Sequence, residues 1–578
     1  MRTHKITVWS AALALALAGC SSAPDQPDTV AGQLVDALNS DDVAAAAALT
    51  DDPAKAAATL NQLYDGLGKE VKYQVESVEE NAFTLRATWT FGKNEWTYTT
   101  KGTASDNDGW KIAWDPATLA PGLTAGPLSY SSVAAKPARV LDSTGGDLMT
   151  QQIVTVVGVA PGADTAAIAA ALAPTNSGIT ATSLDSELAA AQGKPITAIT
   201  LRSADIDPIR AGLAAARGVS LSDQTRLLTV DKAQAAPTLA GLAELWQQDA
   251  EAAQGWAVRA QTPTGTERLA GPDAKPTPDL RTTLDIDLQN AAEDALRPLP
   301  TPAAIVALQP STGNVLAVAQ NAAGDGQGPI ALTGLYPPGS TFKTVTVSAA
   351  LQAGDVSPDS VLPCPGSANI EGRRIPNDEN FDLGQVPLHT AFARSCNTTM
   401  GALGVKLGPN GLTDAAAELG LGVDYVTPGL TTVTGKVPPA ASPAQRVEAS
   451  IGQGEVTASP FGMALVAASI ARGSVPNPVL VQGKPGVADK TPPALPGPIP
   501  DQIKAMMRET VAAGTATQLR DIRGLLGKTG TAEYGDNTHA HGWFVGIDGD
   551  LAFAVFVADA DSSGPAVEAA GRMLRARG

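Results

Sequence analysis

Histidine and cysteine are scarce in this chain, which limits the chemistry that it can perform. Among 578 residues there are 4 His and 3 Cys. The four histidines are His4, His389, His539 and His541, and the three cysteines are Cys20, Cys364 and Cys396. None of them shows the close spacing of metal ligands. We therefore expect no metal site and no cofactor, and we expect any hydrolytic chemistry to use a base other than histidine.

Positive charge is also in short supply. The chain has 40 Lys and Arg against 58 Asp and Glu, a net charge of −18. Such a chain has no general attraction for phosphate backbones or anionic lipids, so nucleic acid is not an expected partner. Only 17% of the residues are charged and 44% are hydrophobic, a balance that favours packed cores over disorder. The length is sufficient for several domains of about 100 to 200 residues each.

Long apolar runs are missing, with one short exception at the start of the chain. Two basic residues precede an apolar run over 6–18. That run is shorter than the roughly 20 residues of a membrane span and predicts a signal peptide over 1–19. It ends in Leu-Ala-Gly-Cys, which is similar to a bacterial lipobox and predicts lipid attachment at Cys20, followed by a tether over 20–27. The alternative is an ordinary signal peptide with an incidental cysteine.

The region before residue 280 divides into two parts. Over 28–125 an Ala-rich helical stretch is followed by segments with strand-like alternation, which predicts a small α+β domain. Its many aromatic residues could line a ligand pocket, but a sheet face packed on helices is the favoured interpretation. The pattern over 126–279 is weaker and suggests no chemistry. A proline-dense segment at 271–279 marks the next boundary.

In the last region, 280–578, helices and strands alternate without a βαβ repeat. Two apolar runs, 304–308 and 315–319, flank a polar segment containing Pro and Gly, which predicts a β-hairpin. This alternation favours an antiparallel sheet flanked by helices.

A serine and a lysine three positions apart carry the first candidate chemistry. Ser340 and Lys343 follow a Pro-Pro-Gly stop and begin an apolar helical run, so they share one face at a helix N-terminus. Burial and nearby cations can lower the pKa of a lysine from about 10.4 until its amine accepts the proton of a serine hydroxyl. The alternative is a helix-starting serine beside an exposed lysine.

Two further motifs follow along the chain. Ser395 and Asn397 offer a hydroxyl that can relay a proton and a carboxamide that can hold a substrate amide. Lys528 and Thr529 can hold a carboxylate, and Gly530 in a predicted edge strand would let an extended substrate backbone approach closely. The order S-x-x-K, S-x-N, K-T-G is the constellation of β-lactamases and penicillin-binding proteins.

Through these motifs the region 280–578 resembles the transpeptidase domain of a class B penicillin-binding protein. Further family-like elements lie at 283–285 and 452–454. The resemblance implies an antiparallel sheet flanked by helices together with an all-α subdomain. It implies site roles for Ser340 (nucleophile), Lys343 (its base), Ser395 and Asn397 (second motif), and Lys528, Thr529 and Gly530 (third motif). The backbone N–H groups of Ser340 and Thr531 would correspond to the oxyanion hole.

The N-terminal half is similar to the same family. The segment 110–123 resembles the NTF2-like domain of MecA-type penicillin-binding proteins, and 139–145 resembles the start of a pedestal (dimerisation) domain. The resemblance therefore implies a multidomain α+β chain, NTF2-like over 28–125, pedestal over 126–279 and transpeptidase over 280–578. Two departures are Ala138, where an Arg-Gly pair is usual, and the lipobox in place of an anchor helix. The lipobox is similar to that of actinobacterial penicillin-binding lipoproteins.

The function implied by this resemblance is peptidoglycan D,D-transpeptidation, through an acyl-enzyme on Ser340 that β-lactams would also form. Peptidoglycan stem peptides and β-lactams are the implied ligands, at the outer face of the cytoplasmic membrane. A separate glycosyltransferase and division or elongation proteins are the implied partners, with a role in cell shape. The alternatives are a D,D-carboxypeptidase or β-lactamase of the same fold, or a non-catalytic wall-sensing lipoprotein.

The two cysteines left after lipidation form a further candidate pair. An exported chain meets conditions in which thiols can pair and persist. Cys364 and Cys396 would close a loop of 32 positions (396 − 364) and would constrain the second motif. The alternative is two buried cysteines that never meet, because a bridge needs Cα atoms within about 7 Å.

Overall fold

The computed structural model describes residues 26–106, 109–234, 237–535 and 539–577. The predicted signal peptide, the lipid attachment at Cys20 and most of the predicted tether lie outside the described residues. The chain divides into two units, one formed by residues up to 136 with 250–277, and the other by 137–249 with 278 to the end. No helix of the described residues is long and apolar enough to cross a membrane.

The segment up to residue 136 is helical first and then forms strands. The helices are α1 Pro27–Asn39, α2 Val43–Ala48 and α3 Pro53–Leu67, and the strands are β1 Val71–Glu79, β2 Ala82–Phe91, β3 Asn94–Asp106, β4 Trp110–Ile112 and β5 Leu128–Val133. Strands β1 to β4 form one antiparallel sheet in chain order. Alternate residues of β2 (Phe83, Leu85, Ala87, Trp89) are buried in the same core as the helices. This confirms the predicted α+β domain and the packing of its aromatic side chains on a sheet face.

The next segment builds a second sheet. Its elements are β6 Val140–Leu141, β7 Asp147–Val159, α4 Thr165–Leu172, α5 Ala181–Ala190, β8 Ile196–Arg202, α6 Ser203–Ile206, α7 Arg210–Ala215, β9 Val219–Thr229 and α8 Ala240–Ala253. Strand β7 is the centre of this sheet and pairs antiparallel with β6, β8 and β9. Two further strands, β10 Gly255–Thr262 and β11 Gly265–Ala270, form a three-stranded sheet with β5 in the first unit, in which β10 pairs with both β5 and β11. Within the region 126–279, residues 126–136 and 250–277 therefore lie in the first unit, whereas 137–249 and 278–279 lie in the second.

The last segment carries a five-stranded antiparallel sheet together with shorter strand pairs. Its strands are β12 Leu280–Arg281, β13 Ala303–Leu308, β14 Val315–Gln320, β15 Val361–Cys364, β16 Ser367–Ile370, β17 Arg373–Pro376, β18 Gly384–Pro387, β19 Tyr425–Thr427, β20 Leu430–Thr431, β21 Gly435–Lys436, β22 Thr457–Ala458, β23 Val487–Ala488, β24 Leu526–Tyr534, β25 His539–Asp548 and β26 Leu551–Val557. Its helices are α9 Ile286–Leu296, α10 Ala322–Asp325, α11 Ile330–Thr333, α12 Lys343–Gln352, α13 Leu388–Ala393, α14 Asn397–Gly404, α15 Gly411–Glu418, α16 Pro443–Ala449, α17 Pro460–Arg472, α18 Ile499–Ala512 and α19 Gly564–Ala576.

Five of these strands form an antiparallel sheet in the order β14-β13-β26-β25-β24, which confirms the predicted sheet and the β13–β14 hairpin. Every residue of β13 and β26 is buried, because helices cover both faces. Helices α9 and α19 share one core with the sheet, and the apolar helix α17 shares the other. Helices α12, α14, α15, α16 and α18 pack on one another beside the sheet, as expected for the all-α subdomain. Strand β24 lies at the sheet edge, next to these helices.

Candidate active site

Ser340 and Lys343 lie where the second unit's sheet meets its helices. A single 3₁₀ turn, Gly339–Phe342, carries the serine, and α12 begins at Lys343. The Lys343 Nζ atom lies 2.9 Å from Ser340 Oγ, and the lysine side chain is fully buried. Gly339 has a φ of +51°, and a Cβ there would lie 2.4 Å from the Thr531 carbonyl oxygen. A glycine is therefore needed for the serine turn to approach β24.

The second motif surrounds the same amine. Lys343 Nζ lies 2.8 Å from the Ser395 carbonyl oxygen, 3.1 Å from Ser395 Oγ and 2.6 Å from Asn397 Oδ1. Ser395 is in the left-handed region at φ +61°, which is unfavourable for a residue with a side chain. Asn397 Nδ2 donates to the Pro376 carbonyl oxygen at 3.0 Å. Both ends of the Asn397 carboxamide are thus engaged, and its oxygen orients the lysine.

The third motif lies on the edge strand β24. Lys528 Nζ donates to Ser395 Oγ at 3.0 Å and to the Thr529 carbonyl oxygen at 2.9 Å. Its ammonium position is 5.6 Å from the centroid of the Phe392 ring, and the lysine is fully buried. The hydroxyl oxygen of Thr529 lies 2.6 Å from that of Thr515. Ser395 Oγ therefore lies between the two lysine amines.

Gly530 packs closely against the serine turn. A Cβ at this position would lie 2.9 Å from Thr341 Cγ2 and 3.0 Å from the Pro338 carbonyl oxygen. The missing side chain thus lets the serine turn approach β24, and the approach of a substrate backbone to this strand stays a prediction.

Burial controls the protonation of both lysines. It lowers the pKa of Lys343 well below its usual value, and the positive charge of Lys528 lowers that pKa further. The carboxylates of Glu533 and Asp378 act in the opposite direction. Burial also lowers the pKa of Lys528 to about 7. A neutral amine on Lys343 can accept a proton from the hydroxyl of Ser340 at neutral pH.

A cavity of about 190 Å³ opens in front of these groups. Five of the predicted residues line it, whereas the two lysines lie buried behind its wall. The lining residues are Ser340, Asp378, Phe381, Arg394, Ser395, Asn397, Ile451, Gln453, Thr515, Thr529, Thr531, Glu533 and Ser563. A second cavity of about 520 Å³ adjoins it and shares Asp378, Asn397, Ile451, Gln453 and Glu533.

Sequence reasoning missed several residues of this site. Arg394 directly precedes Ser395, and its position beside a motif was a signal that could have been used. Thr515, which bonds Thr529, stands in no motif. Asn377 is buried and hydrogen-bonded to the backbone of the second motif, again without a sequence signal. Arg394 and Thr515 line the first cavity, and Asn377 lines the second.

The structure joins Cys364 and Cys396 in a disulfide. Their Cα atoms are 6.2 Å apart and both side chains are fully buried. Cys364 ends β15, and Cys396 lies between the two residues of the second motif. The bridge therefore attaches this motif directly to a neighbouring strand.

Comparison with known proteins gives consistent matches. Residues 303–575 match the penicillin binding protein transpeptidase domain, and residues 26–127 match the NTF2-like N-terminal transpeptidase domain. Peptidoglycan D,D-transpeptidase PbpA of Mycolicibacterium smegmatis is 33% identical over 333 residues, covering 48% of this chain and 67% of the relative.

Two more relatives extend the comparison. PbpA of Mycobacterium tuberculosis is 30% identical over 313 residues, covering 46% of this chain and 63% of the relative. The chain thus spans about two thirds of the length of these curated relatives. The solved structure of PBP2 from Helicobacter pylori in complex with MreC matches with a TM-score of 0.57 at 15% identity, over 78% of this chain and 98% of that one. At that identity the likeness concerns the fold alone.

Proposed function

This chain belongs to the penicillin-binding protein transpeptidase family, and from that premise we propose that it is a peptidoglycan D,D-transpeptidase acting through an acyl-enzyme on Ser340. The observation that carries the proposal is the fully buried amine of Lys343, 2.9 Å from the serine hydroxyl and with a pKa well below its usual value. A serine without such a base is a weak nucleophile.

In the acylation step the neutral Lys343 amine takes the proton of Ser340 while Oγ attacks the carbonyl carbon of the penultimate D-Ala. The oxyanion of the tetrahedral intermediate would be held by the backbone N–H groups of Ser340 and Thr531. When the C–N bond breaks, the leaving D-Ala nitrogen receives a proton. Ser395 Oγ is suited to relay it, because it lies 3.1 Å from one lysine amine and 3.0 Å from the other.

The terminal carboxylate of the substrate requires donors at one end of the cavity. Thr529 and Thr515 present paired hydroxyl groups there, and the guanidinium of Arg394 supplies a permanent positive charge. Neither lysine is permanently charged at neutral pH, because burial lowers the pKa of both. We therefore place the carboxylate between Thr529 and Arg394, and we assign Lys528 to the proton relay.

Transfer of the acyl group to an amine of a neighbouring stem peptide would complete the cross-link. Mass spectrometry of the ectodomain with a D-Ala-D-Ala thioester and a D-amino acid acceptor tests this. We expect an adduct on Ser340 and more aminolysis than hydrolysis. Ser340→Ala should form no adduct with the thioester or a β-lactam, with nearly unchanged melting temperature, because this hydroxyl contributes little packing. Labelling of that variant would contradict the assignment.

Three other results would favour the alternatives. Hydrolysis without aminolysis would indicate a D,D-carboxypeptidase, and rapid turnover of a bound penicillin would indicate a β-lactamase. The absence of any adduct on the unmodified protein would indicate a non-catalytic wall-binding protein.

We further propose that Cys20 carries lipid and holds the protein at the outer face of the cytoplasmic membrane. Peptidoglycan stem peptides and β-lactams are then the ligands, with a separate glycosyltransferase and division or elongation proteins as partners. The domain limits 28–125, 126–279 and 280–578 belong to this proposal, and the family matches over 26–127 and 303–575 support them.

A further inference from the structure

We propose that Asn377 is a positioning residue, which holds the start of helix α14 so that Asn397 points its oxygen at Lys343. The proposal rests on the function proposed above for the Ser340–Lys343 pair. Asn377 lies just beyond β17, twenty positions before Asn397, and belongs to none of the three motifs.

The carboxamide of Asn377 uses all of its hydrogen-bonding capacity inside the protein. Its Oδ1 atom accepts from the backbone N–H groups of Asn397 at 2.8 Å and Thr398 at 3.1 Å. Its Nδ2 atom donates to the carbonyl oxygens of Pro365 and Phe381, both at 2.9 Å. The residue is 2% exposed, so water cannot replace these bonds.

These bonds supply a helix cap that the local sequence does not provide. The N-cap position of α14 is Cys396, whose side chain makes no capping hydrogen bond. The first N–H groups of a helix need an acceptor, and a capping side chain usually comes from the N-cap residue itself. Here the acceptor comes from a separate loop. The position of the second motif therefore depends on both Asn377 and the Cys364–Cys396 disulfide.

The last residue of β17, directly before Asn377, also holds the side chain of Asn397. Asn397 Nδ2 donates to the carbonyl oxygen of Pro376 at 3.0 Å, which leaves Oδ1 directed at Lys343 Nζ at 2.6 Å. Residues 376 and 377 thus fix both the backbone and the carboxamide of Asn397. An oxygen beside an ammonium group favours the charged form, so this contact acts to raise the pKa of Lys343 and partly opposes the effect of burial. The charged side chains that act on the same amine are Lys528, Glu533 and Asp378.

Two substitutions and a matched control test the proposal. Asn377→Ala removes the cap, whereas Asn377→Asp keeps two oxygen acceptors for the α14 N–H groups. The control is Asn321→Ala, because Asn321 has the same pattern of contacts far from the motifs. Asn321 is 8% exposed, its Oδ1 accepts from the N–H groups of Ala303 and Gly324, and its Nδ2 donates to the carbonyl oxygens of Leu299 and Thr301.

The first measurement is the rate of acylation by a chromogenic cephalosporin, with the melting temperature of each variant. A misplacement of about 1 Å at a catalytic group costs roughly 10²-fold in rate, so we expect a loss of that order for Asn377→Ala. Asn377→Asp should recover most of that loss. Asn321→Ala should lower the melting temperature and leave the acylation rate unchanged. Equal acylation by Asn377→Ala and Asn321→Ala would overturn the proposal.

The second measurement does not depend on catalysis. Titration of the ¹³Cε signal of Lys343 in lysine-labelled protein reports its pKa directly. We expect Asn377→Ala to lower that pKa, because the Asn397 oxygen no longer favours the charged amine, and we expect Asn377→Asp not to lower it. If Asn377→Ala does not fold, a lowered pKa in Asn377→Asp contradicts the proposal. A titration that responds as expected in a protein that forms no adduct would refute the proposed function and leave the positioning role intact.

Discussion

Relative to the wild type, the Lys528→Met variant should gain stability as the pH falls from alkaline to neutral. Its rate of acylation should be lower. The amine of Lys528 is fully buried, and burial lowers its pKa from 10.5 to about 7. A lysine in an unfolded chain still binds a proton near pH 10, whereas the folded protein releases it. As the pH falls from about 10 to about 7, protonation therefore favours the unfolded state increasingly, by about 1.4 kcal/mol per pH unit.

Methionine has no titratable group, so protonation at position 528 does not destabilise the folded variant. The free energy of unfolding of Lys528→Met minus that of the wild type should rise by about 4 kcal/mol as the pH falls from 10 to 7. The hydrogen bonds lost at Ser395 Oγ and at the Thr529 carbonyl oxygen shift this difference by a constant and do not change its slope. Loss of the Lys528 charge also raises the pKa of Lys343, which adds to the effect in the same direction.

Denaturant unfolding at a series of pH values measures this difference. Lys490→Met is the matched control, because Lys490 is exposed, and its unfolding should follow the wild type at every pH. Acylation of Lys528→Met by a β-lactam should fall by about 10²-fold or more, as for loss of a group in a proton relay. A stability difference that does not change between pH 10 and pH 7 would refute the reasoning, since the buried amine would then keep its ordinary protonation.

Three further predictions concern other parts of the chain. Cys20→Ala should abolish incorporation of labelled palmitate, and surviving incorporation would mean that the lipid attachment is elsewhere. Thiol counting on the denatured, unreduced ectodomain should find neither Cys364 nor Cys396 free, whereas two free thiols would exclude the bridge. Arg394→Ala should lower kcat/KM about 10- to 100-fold for a thioester donor with a free carboxylate, from loss of a charge-assisted hydrogen bond. It should have little effect on the matching donor with a neutral terminal amide, and an equal loss for both donors would contradict the carboxylate site.

Local sequence predicted the parts of the site that depend on local geometry. Ser340 and Lys343 are one helical turn apart, so their contact follows from the turn alone. The distances from Ser395 to Lys343 and to Lys528 depend on how α13, α14 and β24 pack. The sequence order suggested that arrangement only through a resemblance, and not through spacing.

Features that depend on distant parts of the chain could not be predicted. Strand β5 pairs with β10, which follows it by more than a hundred residues, and no local sequence pattern indicates this pairing. The role of Asn377 is hidden for the same reason, because an asparagine in a polar loop resembles any other turn residue until the fold buries it. The contact of Gly530 with the serine turn was hidden as well, because a glycine indicates a close approach without indicating which segment approaches.

The second motif contains two energetically unfavourable features, which the contacts around it offset. Ser395 has an unfavourable backbone conformation, and its hydroxyl lies between two lysine amines whose pKa values are lowered by burial. Neither feature would persist in a mobile loop, since the serine could relax and water could enter. The disulfide at Cys396 and the four hydrogen bonds of Asn377 restrain the residues on its C-terminal side. On its N-terminal side α13 is attached to α18, where Glu509 bonds Thr390 at 2.8 Å. Rigidity around Ser395 therefore keeps its hydroxyl and the Asn397 oxygen in place against Lys343, and a change that loosens either side should slow acylation before it unfolds the domain.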